Sequence, residues 1–135
     1  MNLKLSLILT LFLLSVSFSR AQQAAQGDQY VFVISKVNYL KAINDAVSAS
    51  KESGLALEEV RVILCGESVR GFQESNNPII LKALGEPRIR VYACGLSLEQ
   101  MKVDPATLPS EVSVVRNGIL EAMILEKKGF KRFDL

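Results

Sequence analysis

The chain contains no histidine and no tryptophan. Without histidine, Ser-His-Asp and Cys-His catalytic arrangements are excluded, as are most catalytic zinc sites. Cysteine is scarce: Cys65 and Cys94 are the whole complement. Two are too few for a disulfide scaffold, so the domain must stand on its hydrophobic core. Two thiols without an imidazole do not make a metal site either. No cofactor motif is present. Gly66 to Gly71 has the glycine spacing that opens a phosphate loop, but Phe72 and Gln73 stand where Lys and Ser or Thr are needed, which excludes a nucleotide-hydrolysing loop.

The apparent charge excess also dissolves on inspection. Leu5 to Val16 is almost wholly apolar, Lys4 precedes it, and Ser19-Arg20-Ala21 forms a small-x-small site. This reads as a secretory signal peptide over residues 1–21. Its apolar stretch is shorter than the roughly 20 residues a membrane span requires. Cleavage removes Lys4 and Arg20 and leaves 14 basic and 14 acidic residues. A neutral mature chain is expected to bind neither nucleic acid nor, once cleaved, a membrane. The expected location is periplasmic or secreted, an oxidising setting in which two cysteines raise the question of a disulfide. Residues 22–29 are Gln- and Ala-rich and read as a disordered leader, with one domain over residues 30–135.

Apolar runs and cap signals alternate along that domain. Tyr30 to Ser35 is a continuous β-prone run, the pattern of a parallel strand covered on both faces. Asn38 is positioned to cap a helix carrying Leu40, Ile43, Ala46 and Val47. Glu59 to Leu64 is a second strand, Gly66 to Asn76 a polar loop, and Asn77-Pro78 the start of a helix ending at Gly85. A third strand, a short helix from Ser97, a Pro-containing loop, a strand at Val112 to Val115 and a helix capped by Asn117 follow. Phe130 to Leu135 reads as an edge strand. The alternation implies an α/β, three-layer sandwich with a mainly parallel five-stranded sheet, flavodoxin-like in character. In the last helix, Ile119, Leu120, Ala122, Met123, Ile124 and Leu125 cover more than one face. That composition implies burial on two sides, at a subunit interface or as a central helix of the monomer.

The stretch Arg88 to Met101 organises the rest. Its strand becomes apolar towards Ala93, Cys94-Gly95 breaks the pattern, and Ser97-x-x-Gln100 fits a capping box. Cys94 therefore stands where a strand ends and a helix begins, the end of an α/β sheet where ligands and chemistry gather. A helix N-terminus stabilises a thiolate, the reactive form of cysteine. Gly95 permits a sharp turn and close approach. Cys65-Gly66 mirrors Cys94-Gly95 at the end of the second strand. A flavodoxin-like strand order would put these two strands on either side of the first, about 10 Å apart. A direct disulfide needs Cα atoms within about 7 Å, so that order disfavours a resting bridge and leaves Cys65 to packing. Arg70, in the glycine-bounded loop Gly66 to Gly71, is the candidate for anion binding, and Glu67, Glu74 and Glu99 are the candidate carboxylates.

Val91-Tyr-Ala-Cys94-Gly95-Leu-Ser97-Leu-Glu-Gln100-Met101, the Pro-containing loop, and Val112-Ser-Val-Val-Arg-Asn-Gly118 with its helix to Gly129-Phe130 resemble the DsrE/DsrF-like family. The likeness is to its secreted, single-domain branch. The resemblance implies an α/β sandwich and a homo-oligomer, trimer or hexamer. It also implies a sulfur-relay role, in which Cys94 bears a persulfide received from a donor protein and passed to an acceptor. Gly95, Ser97, Cys65 and Arg70 are the binding candidates that the strand-end reading sets beside it. Two other readings stand beside this one: an oligomeric ligand-binding protein without turnover, and a redox switch between Cys65 and Cys94.

Overall fold

The computed structural model describes residues 27–135. The expected signal peptide, and the expected leader up to residue 26, lie outside the described residues. Strands β1 (Asp28–Ile34), β2 (Leu57–Leu64), β3 (Ile89–Cys94), β4 (Ser113–Val115) and β5 (Lys131–Asp134) form one sheet in the order β4-β3-β2-β1-β5. Every pairing is parallel. Helices α1 (Asn38–Ala49), α2 (Pro78–Leu84), α3 (Gly95–Gln100) and α4 (Gly118–Lys127) complete the α/β sandwich. The first strand begins at Asp28, two residues inside the stretch expected as leader, because Asp28 already pairs with Leu57.

Side chains alternate across each strand, so every strand feeds two cores. Ile34, Val60, Val62, Leu64, Val91 and Ala93 face α1 and α2. On α1, Leu40, Ile43 and Val47 recur at helical spacing and are buried against this layer. Val31, Val33 and Ile63 face the other way and pack on Ala122 and Leu125 of α4 and on Phe130. The first face has three helices and the second has one.

Strand order departs from the expectation that β1 separates β2 from β3. Here β2 and β3 are neighbours, with Leu64 in register with Ala93. The chain steps steadily from β1 to β4 with its helices on one face, then returns across the sheet to place β5 beside β1. Parallel crossovers keep one hand, so reversing the direction of travel moves the connecting helix, α4, to the opposite face.

Local expectations also shift. Asn38 is the first helical residue and makes no cap; Val37 occupies the cap position. Asn77 caps α2 by accepting from the Ile79 and Ile80 N–H groups. The expected polar loop is instead a 3-10 helix over Gly66–Gln73, with Val69 and Phe72 buried under it. Those two apolar side chains, three residues apart, face the core together. Helix α4 is neither central nor buried on two sides in the monomer: Ile119, Leu120, Met123 and Ile124 are 48, 54, 55 and 40% exposed.

Candidate functional site

Cys94 closes β3, and Cys65 directly follows β2. The Leu64–Ala93 register carried one residue further sets the two cysteines side by side, at the spacing of adjacent strands, about 4.8 Å. The expected separation of two strand widths is thereby corrected. Both residues are thiols.

The crevice between β3 and β4 is where the sheet's outgoing connections diverge. The chain leaves β3 through α3, whose Leu98 packs on the first core, and leaves β4 through α4 on the opposite face. Folds of this class place their sites at such switch points, at the carboxyl ends of the strands, and Cys94 stands at this one, buried. The Gly118 N–H, at the first residue of α4, donates to Cys94 Sγ at 3.3 Å. Asn117 holds that end of α4 in place by accepting from the Ile119 and Leu120 N–H groups.

Gly118 has no room for a side chain. A Cβ there would lie 2.6 Å from Cys65 Sγ, 2.8 Å from Ile63 Cγ2 and 3.2 Å from Cys94 Cβ. Gly95 is similarly confined, with the Val115 and Arg116 carbonyl oxygens 3.1 and 3.3 Å from where its Cβ would stand. Its role is close packing against β4, and Leu96 N–H donates to the Arg116 carbonyl beside it.

Ser97 is not the N-cap that the capping-box pattern implies. Helix α3 starts two residues earlier, with Cys94 in the cap position. Ser97 is buried, and its Oγ accepts from the Gly66 N–H at 2.8 Å. This ties the end of β2 to the end of β3.

The two thiols differ in their electrostatics. Burial alone would push the Cys94 thiol up. Hydrogen bonds from the Ser97 hydroxyl, the Gly118 and Ser97 N–H groups and the Cys65 thiol outweigh it and hold Cys94 below its ordinary 9.0. Cys65 moves the other way. Burial, then the charge on Cys94 and the hydrogen bond to it, push it up to about 12. Cys94 is therefore the more acidic thiol of the pair, and Cys65 holds its proton to higher pH.

Access is the reverse of reactivity. Cys94 is 4% exposed. Cys65 is half-buried and lines a pocket of about 410 Å³ with Ser35, Gly66, Ile119, Asp134 and Leu135. A separate apolar cavity of about 340 Å³, between α1 and Phe133, shares no residue with it.

Arg70 is exposed on the 3-10 helix and does not line the Cys65 pocket. Glu67 and Glu99 are exposed, and Glu74 accepts from Asn77 Nδ2 at 3.2 Å. The carboxylate that shares the Cys65 pocket is one that sequence reasoning missed, Asp134, whose charge adds a minor push to Cys65. It arrives because β5 pairs with β1. Among the described residues, no group of three His, Cys, Asp or Glu side chains is placed to hold a metal ion, and no helix is long and apolar enough to cross a membrane.

No family model matches this chain. No curated protein matches it. Among solved structures, a protein of unknown function from Methanobacterium thermoautotrophicum, MTH1491, has a TM-score of 0.63 at 16% identity, over 80% of this chain and 99% of that one. At that identity the likeness is one of fold.

Proposed function

We propose that this is an exported, single-domain DsrE/DsrF-like thiol protein that carries sulfane sulfur on Cys94. The observation that supports it best is the donation of the Gly118 N–H to Cys94 Sγ at the sheet's switch point. A thiolate held by directed N–H and O–H donors is a stronger candidate nucleophile than an ordinary buried cysteine. In the proposed step the Cys94 thiolate attacks the outer sulfur of a donor persulfide, R–S–SH. The Cys94–S–S⁻ bond forms, the donor S–S bond breaks, and R–SH leaves with the proton. The same donors that hold the thiolate are placed to hold the persulfide anion. Association of copies through the outer face of α4 gives Ile119, Leu120, Met123 and Ile124 a partner surface. It agrees with the trimer or hexamer that the resemblance implies.

The experiment is intact mass measurement of the mature protein after inorganic polysulfide, then reductant. A reversible gain of about 32 Da, one sulfur, mapped to Cys94 and absent in Cys94→Ser is the expected result. Loading that survives Cys94→Ser sinks the reading. A pocket of about 410 Å³ at the strand ends favours a second reading, ligand binding without turnover. Binding indifferent to Cys94→Ser distinguishes it.

A further inference from the structure

The better nucleophile is buried and the thiol that meets solvent is its neighbour. Register, not chance proximity, enforces this pairing: β2 and β3 end together, and both sulfur-bearing side chains leave the sheet on the α4 face, where Cys65 packs with the second core. Cys65 Sγ and Cys94 Cβ both border the point that a Cβ on Gly118 would occupy. With no side chain on Gly118, the two cysteines pack against the same point of the α4 backbone.

We infer that Cys65 is the resolving thiol of Cys94: it attacks the Cys94 sulfur once that residue carries an adduct, expels the adduct, and closes a reversible Cys65–Cys94 disulfide. This rests on the proposed sulfur loading of Cys94. For the persulfide, Cys94–S–S⁻ and Cys65–SH become the Cys94–Cys65 disulfide and HS⁻. The new bond joins the two cysteine sulfurs, and the bond to the outer sulfur breaks. The outer sulfur takes the electron pair and the Cys65 proton. It is reduced, and the Cys65 sulfur is oxidised. An external dithiol then restores both thiols and leaves as its own disulfide, by ordinary exchange.

Burial is the main reason that Cys65 holds its proton, and the charge on Cys94 and the hydrogen bond to it add to that. An adduct shifts the charge off the Cys94 sulfur itself and relieves that sulfur's hydrogen bond to Cys65, while the burial remains. Strand spacing of about 4.8 Å falls within the Cα separation of about 4.4–6.8 Å that disulfides span.

The test uses the reduced mature protein, loaded briefly with inorganic polysulfide and desalted. Wild type is expected to pass from a gain of about 32 Da to a loss of about 2 Da from the reduced mass, with sulfide released and the Cys65 and Cys94 peptides joined. Cys65→Ser is expected to keep the gain of about 32 Da and release no sulfide. Wild type that holds the adduct as long as Cys65→Ser overturns the inference and leaves the carrier reading standing. Failure of the carrier reading looks different: the adduct persists in Cys94→Ser, or forms in no variant. In either of those cases oxidation by diamide decides. Joined peptides keep Cys65 as the partner of Cys94, and two thiols that stay separately alkylatable overturn it.

Discussion

Gly118 presents its backbone N–H to Cys94 Sγ at 3.3 Å while its missing side chain leaves room for Cys65. One residue thus stabilises one cysteine and gives space to the other. Its φ is not in the left-handed region, so steric demand, not backbone conformation, explains the glycine there.

Gly118→Ala is therefore expected to act through crowding. The new methyl would meet Cys65 Sγ, Ile63 Cγ2 and Cys94 Cβ inside normal contact distance. Overpacking of this kind costs about 1–3 kcal/mol, measurable as a lower urea midpoint at unchanged slope. Displacing α4 also lengthens the N–H contact to Cys94, so the alkylation midpoint of Cys94 should move up in pH. A variant with wild-type stability and reactivity would show that α4 moves aside freely.

The two cysteines should titrate on opposite sides of their ordinary value. Alkylation of Cys94 is expected to have its midpoint below 9.0, and that of Cys65 to be still rising above it. The signs for stability follow from proton linkage. Folded Cys94 loses its proton before unfolded Cys94, so its contribution is present above 9.0 and is lost as pH falls through the folded value. Folded Cys65 keeps its proton longer, so its contribution is present below 9.0 and is lost as pH rises towards about 12. Peptide-resolved alkylation over this range checks both, and a shared midpoint would contradict the unequal pair.

Much of this was legible in the chain, and the failures have physical causes. Continuous runs such as Tyr30 to Ile34 mark strands because both faces of a parallel sheet are buried. Asn77-Pro78 and Asn117-Gly118 mark helix starts by cap chemistry alone. Strand order is not carried by the strands themselves. It depends on which way each crossover steps, and nothing in Ser113 to Val115 says that the next strand lies four positions away. Cys65 beside Cys94, and Asp134 beside Cys65, both follow from that order. The 3-10 helix did leave a signal: Val69 and Phe72, three apart in an otherwise polar stretch, are both buried.

The outer face of α4 offers a test of association. Leu120→Glu and Met123→Glu alter side chains that are 54 and 55% exposed in the monomer. Folding stability should change by no more than about 0.5 kcal/mol, as for most surface substitutions. If copies meet on this face, burying either carboxylate penalises the interface, and light scattering should show a smaller assembly. An unchanged assembly would place the interface elsewhere.

Two asparagine caps separate stability from chemistry. Asn77 caps α2 and Asn117 caps α4, each accepting from two backbone N–H groups. Replacing either by Ala should cost about 1 kcal/mol, with Asn77 the costlier because it also binds Glu74. Helix α2 covers the first core, and neither Asn77 nor Glu74 bears on the cysteines. Asn117 precedes the residue whose N–H holds Cys94, so fraying α4 loosens that donor directly. Asn117→Ala is expected to raise the Cys94 alkylation midpoint and slow polysulfide loading, whereas Asn77→Ala lowers the melting temperature and leaves both unchanged. If both variants slow loading in proportion to lost stability, the donor at Gly118 has no specific role, and Cys94 is only as reactive as the fold is intact.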